Sequence, residues 1–197
     1  IQIYKRNSIF AKIHRMYRGN YLANAYNLKH DLNYSFDTNN WTSEPLLNNE
    51  KYEEMMKNDL ELFKKRLSTI CHLVEQLDAK PIFVTQTTRR YLLDGSIIKG
   101  ETSSDILHKT IDNGLMYKYN GVKYNGVDYY HMMKILNNTI LNFAKDSGFM
   151  AIDLATDLQK KLDIYRDYYD SVHNTPSGAK IIGDYLYSQL NHLFIKS

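Results

Sequence analysis

The chain has 197 residues, a formal net charge of +3, and 43% hydrophobic against 24% charged residues. That length suits one α/β domain, and the composition is that of a folded chain rather than a disordered one. The single cysteine, Cys71, excludes an intrachain disulfide framework and a cysteine-based zinc site. The small positive charge gives no argument for nucleic acid, and no apolar run approaches the ~18 residues that span a bilayer. The first residue is Ile1, so a signal segment would lie upstream, and the sequence leaves the compartment open.

Residues 8–18 predict a short helix capped by Ser8, with Ile9, Ile13, Met16 and Tyr17 on one face and Lys5, Arg6, Lys12, Arg15 and Arg18 as a solvated basic side. Residues 19–49 are rich in Asn, Asp and Tyr and read as a loop-rich insertion carrying Trp41, the only tryptophan. Residues 50–78 predict the longest helix, with Met55, Leu60, Phe63, Leu67, Ile70, Leu73, Val74 and Leu77 as its core face. Residues 81–86 predict a buried strand. Its polar end, Thr85-Gln86-Thr87-Thr88, falls where open α/β sheets build their sites.

Residues 89–127 read as a second loop-rich insertion, with a hairpin turn at Asn120-Gly121. Asp128 is expected to cap a helix reaching about Ser147, with Gly148 as its C-cap. Residues 149–153 then predict a second strand and residues 154–162 a small helix. The last helix is expected to start at Pro176 after a Thr175 cap and to turn Ala179, Ile182, Leu186, Leu190 and Leu193 inward. The glycosylation sequons at Asn33, Asn40 and Asn137 read as coincidences of an Asn-rich chain.

Helix, strand, helix, strand, helix is the order of a parallel α/β protein. Only two segments have the character of buried strands, whereas parallel sheets are covered on both faces and usually have more strands. The expectation is a single domain over residues 1–197 whose sheet is completed by a missing N-terminal segment or by a partner chain.

No His-x-x-x-His, His-Glu-x-x-His or glycine-rich phosphate loop occurs, so no metal and no cofactor are predicted. Asp-x-x-His occurs three times. Asp105 and His108 read as ordinary pairing on a helical turn, and Asp128 with His131 as the start of a helix. The third pair, Asp170 and His173, lies in a loop just before the last helix. A carboxylate there can bind one imidazole nitrogen and leave the other to take a proton. Thr175 and Pro176 fix the loop's exit, and Gly178 and Ala179 permit close approach to the sheet.

Asp170, His173, Thr175 and Gly178 resemble the last block of the SGNH, or GDSL-type, hydrolases, which is Asp-x-x-His followed by a Thr and a Gly on the way into the terminal helix. The likeness extends upstream. Residues 81–86 are similar to the family's penultimate core strand, and residues 138–154 to the helix and last strand before the His block. It covers residues 50–195. The Gly-Asp-Ser nucleophile loop and the Gly-x-Asn-Asp loop of the family do not occur before Glu50. Lys57-Asn58-Asp59 and Asp94-Gly95-Ser96-Ile97 imitate them only in composition.

The resemblance implies a flavodoxin-like three-layer α/β/α fold with a parallel sheet, incomplete at its N-terminus. It implies a serine-dependent ester hydrolase acting on a small-molecule or glycan ester. His173 would be general base and Asp170 its orienter, with Asp167 as a rival orienter and the serine supplied from upstream of residue 1. Gln86 and Thr87 are candidates to line the substrate cleft. The alternatives are an SGNH-like module that binds or assembles without catalysis, an O-acyltransferase acting on a glycan, and a generic α/β domain with a satisfied loop histidine.

Overall fold

A computed structural model describes residues 41–47, 51–101, 118–119, 121–168 and 171–193, all within one compact unit, Ser35–Ser197. The expected basic helix at residues 8–18, most of the 19–49 insertion, the sequons at Asn33 and Asn40, and Asp105 with His108 lie outside the described residues.

In chain order the elements are β1 (Trp41–Thr42), α1 (Lys51–Glu75), β2 (Ile82–Val84), β3 (Tyr91–Asp94), β4 (Ile97–Glu101), β5 (Lys118–Tyr119), β6 (Val122–Lys123), α2 (Gly126–Asp146), β7 (Met150–Ile152), α3 (Leu154–Leu158) and α4 (Pro176–Leu190), with a 3-10 turn at Asn191–Leu193. The protein is mixed α/β. Its parallel sheet, among the described residues, is the pair β2 and β7, in register Ile82 to Met150, Phe83 to Ala151 and Val84 to Ile152.

The period of two along these strands sorts side chains onto two faces. Phe83 and Ala151 point to one side, where they pack with Leu67 and Cys71 of α1 and Ala144 of α2. Met150 and Ile152 point to the other, against Ile181, Ile182, Tyr185 and Leu186 of α4. Helices thus lie on both faces of β7. The cover stops short of β2, where Ile82 is 39% and Val84 38% exposed.

The predicted boundaries of α1, β2, α2, β7 and α4 lie close to the observed ones, and Thr175 caps α4, accepting from Gly178 N, with Pro176 in the first turn. The inward face of α1 differs from expectation. Tyr52, Met56, Leu67 and Cys71 are buried, at spacings of four, eleven and four, whereas Ile70, Leu73 and Leu77 are 51%, 54% and 79% exposed. Apolar residues occur nearly all round α1, and the partner helix selects the stripe that carries Tyr52 and Cys71. In α4, Ala179 is exposed and Gly178 is buried. The close approach of Gly178 is to the loop before α4, not to the sheet: a Cβ there would lie 2.2 Å from the Asp167 carbonyl oxygen.

The described residues of the 89–127 region include two hairpins. β3 and β4 form an antiparallel hairpin in which Asp94 pairs with Ile97, leaving Gly95-Ser96 as a two-residue turn with Gly95 at φ +64. β1 adds to the far side of β4. The expected turn at Gly121 is present, at φ +81, joining β5 to β6. Gly100 and Gly126 bring β4 against the start of α2, so closely that a Cβ on Gly126 would sit 2.3 Å from the Glu101 nitrogen.

Candidate functional site

The site is built from the carboxyl end of β2 outward. Thr85 continues the ladder, its N–H donating to the Ile152 carbonyl at 3.1 Å. Its hydroxyl donates to Asp153 Oδ1 at 2.9 Å and accepts from Ala155 N at 2.8 Å. Asp153 caps α3, so one threonine locks the end of β2 to the element that follows β7. Next, the amide of Asn137 on α2 grips the Gln86 backbone in both directions: Gln86 N–H donates to Oδ1 and Nδ2 donates to the Gln86 carbonyl, each at 3.2 Å. Asn137 is buried, which makes its sequon unusable in the folded chain.

Gln86 therefore offers an exposed side chain on a fixed backbone. Thr87 is buried and its side chain hydrogen-bonds the Tyr168 phenol, whose pKa burial pushes up. Thr87 borders a cavity of about 10 Å³ together with Thr88, Tyr91, Ala155, Gln159, Leu162, Ile164 and Tyr168. That volume holds about one water and no acyl chain. The structure gives Thr87 a structural contact and leaves Gln86 as the one of the two that solvent reaches.

Thr88, Arg89 and Arg90 are all buried. They hold the loop that carries His173. The Thr88 hydroxyl donates to the Ser171 carbonyl at 2.7 Å, and Arg89 N–H donates to the same oxygen at 3.2 Å. Arg90 Nη2 donates to Ser171 Oγ at 3.4 Å, while its guanidinium lies 4.7 Å from the Tyr129 ring centroid.

The other side of the loop is held by residues 166–168. Asn174 bridges Tyr168, and Thr175 N–H and Asn174 Nδ2 donate to the Asp167 carbonyl at 3.0 and 3.1 Å. The Asp167 carboxylate is fully buried. It accepts two hydrogen bonds from Arg166, at 2.9 and 2.8 Å, and one from Asp163 N at 2.9 Å. The Arg166 guanidinium holds this carboxyl down to about 2, with the Asp163 amide and Ser177 acting in the same direction against burial. Asp167 is thus committed to fastening the loop. His173 stands exposed on the turn between these two sets of bonds. Asp170 lies outside the described residues.

A second buried carboxylate, Asp128, occupies the start of α2. It is not the N-cap. Asn125 is, and Asp128 closes a capping box from the third helical position, as the amide-accepting Asn and the carboxylate satisfy each other's backbone. Asp128 also accepts from Leu46 and Leu47 N–H at 3.1 and 3.0 Å and from Tyr52 Oη at 2.6 Å. His131 stacks on Tyr52 with ring centroids 5.3 Å apart. Each of these Asp128 bonds is to the protein itself, and they commit its carboxylate to holding the start of α2. The Lys57-Asn58-Asp59 sequence lies in α1, where Asp59 accepts from the Tyr119 phenol.

Burial pushes the His131 pKa below its ordinary value of 6.5, and the Asp128 carboxylate opposes the shift. The unfolded chain then binds the proton more readily. The stability from neutral His131 is full above about pH 6.5 and is lost as pH falls through the lower folded value. Melting temperature is expected to drop between pH 7 and 5, and His131→Gln to flatten that drop, measured by circular dichroism at each pH.

Among the described residues, no group of three His, Cys, Asp or Glu is arranged to hold a metal ion, and no helix is long and apolar enough to cross a membrane. Comparison of the chain with protein-family models, with curated proteins and with solved structures finds no match.

Proposed function

We propose that the protein is a serine-dependent ester hydrolase of the SGNH type, with His173 as general base. The observation that carries this reading is the placement of His173. It sits exposed on a short loop that is fastened on one side to the segment leaving the carboxyl end of a parallel strand and on the other to the backbone carbonyl of Asp167, whose carboxylate is buried. Loop residues held rigidly beyond the carboxyl ends of parallel strands are where this class of fold does chemistry.

His173 would take the proton from an attacking serine and return it to the leaving alcohol, and Asp170 would fix the tautomer. Asp167 is the poorer orienter because its carboxylate is already bound by Arg166 and Asp163. The serine and the oxyanion donors would come from upstream of residue 1. The half-exposed Ile82 and Val84 leave one face of β2 uncovered, which supports a further element, from the same polypeptide or from a partner chain, packing over that face in a fuller α/β/α sheet. The substrate class is an ester of a small alcohol or of a glycan, with Gln86 as the side chain at the rim.

The test is turnover of p-nitrophenyl acetate by the complete polypeptide and by its His173→Ala variant. Hydrolysis that depends on His173 supports the reading. Acyl transfer to an added sugar in place of hydrolysis marks an O-acyltransferase. No turnover of either kind leaves a binding or assembly module.

A further inference from the structure

On the side facing the segment after β2, the loop bearing His173 is fastened through Ser171, two positions before it. Both Ser171 oxygens are engaged from the far end of β2: the carbonyl by the Thr88 hydroxyl at 2.7 Å and by Arg89 N–H at 3.2 Å, the hydroxyl by Arg90 Nη2 at 3.4 Å. The Thr88 hydroxyl also accepts from Arg90 N–H, at 3.3 Å, so the two fasteners brace each other. Thr88 is 6% and Arg90 7% exposed, and Arg90 is further fixed over the Tyr129 ring. These groups are too deeply buried to meet a substrate. Their side chains reach a segment more than 80 residues away in sequence, and that segment carries the one histidine in this loop.

We propose that Thr88 and Arg90 are positioning residues for His173: they hold the loop through Ser171 so that the imidazole keeps one location and orientation beyond the end of β2. The inference rests on the reading of His173 as general base. A base acts only within hydrogen-bond reach of the proton it abstracts, so a displacement of about 1 Å at the loop is enough to cost up to 10²-fold in rate. Thr88 acts through the Ser171 backbone and Arg90 through the Ser171 side chain.

The experiment compares Thr88→Val, Thr88→Ser and Ser171→Ala in the complete polypeptide. Ester turnover, thermal unfolding and the His173 imidazole proton signal by NMR are measured on each. Thr88→Val removes the donor at nearly constant volume, and about a tenfold or greater fall in kcat with little change in KM is expected, together with a displaced His173 signal. Thr88→Ser keeps the hydroxyl and is expected to restore both. Ser171→Ala, at a part-exposed position, is expected to shift the same signal by less, and it decides the matter if Thr88→Val does not fold.

Wild-type kcat and an unmoved His173 signal in folded Thr88→Val, or in Ser171→Ala should the first not fold, overturn the proposal. The hydrolase reading fails on a different observation, undiminished turnover in His173→Ala, while the NMR signal continues to report whether the fastening holds the ring.

Discussion

Replacing His173 with alanine in the complete polypeptide is expected to lower ester turnover on the order of 10⁴-fold. That corresponds to about 5 kcal/mol of lost transition-state stabilisation. The same substitution is expected to leave the melting temperature almost unchanged. His173 is exposed, and truncation of an exposed side chain costs stability within about 0.5 kcal/mol. Ser171, Asn174 and Thr175 supply bonds that hold the loop. The two magnitudes differ about tenfold, so lost activity in a normally melting variant can only be chemical. Turnover within a few-fold of wild type removes His173 from the mechanism.

The largest expected effect on stability is at the contact between β4 and α2. Gly126 opens α2, and helix preference alone would favour alanine there by up to about 1 kcal/mol. Packing decides otherwise. A Cβ on Gly126 would fall 2.3 Å from Glu101 N and 2.4 Å from the Arg90 carbonyl oxygen. Those atoms are themselves joined by a 3.2 Å hydrogen bond that continues the β3–β4 hairpin. Backbone cannot rotate aside as a side chain can, so hairpin and helix must separate. Gly126→Ala is expected to cost about 3 kcal/mol or more, read by urea denaturation. Gly183→Ala supplies the opposite sign. Gly183 lies within α4 with nothing inside 4 Å of its Cβ position, and alanine there is expected to stabilise by up to about 1 kcal/mol.

These two glycines show where a sequence speaks and where it is silent. Helical period and caps are local, so α1, α2 and α4 stand out in the residue pattern, Thr175-Pro176 and Gly148 among them. The two parallel strands were legible for the same reason, as short β-branched and aromatic runs between helices. The β3–β4 hairpin had a local signal too, Asp94-Gly95 flanked by apolar residues, but Asp94-Gly95-Ser96 also resembles a misplaced nucleophile loop and distracts from the turn. The inward face of α1 was not legible at Ile70, Leu73 and Leu77, because a helix with apolar residues nearly all round does not say which stripe its neighbour covers.

The candidate site divides in the same way. The loop around His173 announces itself by local spacing, and Thr175 and Gly178 mark its exit. What holds that loop does not. Thr88, Arg89 and Arg90 sit in a stretch whose polarity reads as surface, yet they are buried, and Ser171, far away in sequence, accepts from the Thr88 hydroxyl, the Arg89 N–H and Arg90 Nη2. Asp128 is similar. Its own helix predicts a carboxylate near the N-terminus, but its bonds to Leu46, Leu47 and Tyr52 are tertiary. Asp167 also gains its role from partners the spacing does not reveal, above all the backbone of the turn it supports.

The most direct test of the account is a crystal structure of the complete polypeptide after reaction with a fluorophosphonate, which phosphonylates a serine that a neighbouring base has activated. The account predicts one modified serine, its Oγ about 3 Å from an imidazole nitrogen of His173. A crystal in which no serine hydroxyl comes within reach of that ring, or in which the reagent modifies a serine elsewhere, would contradict it.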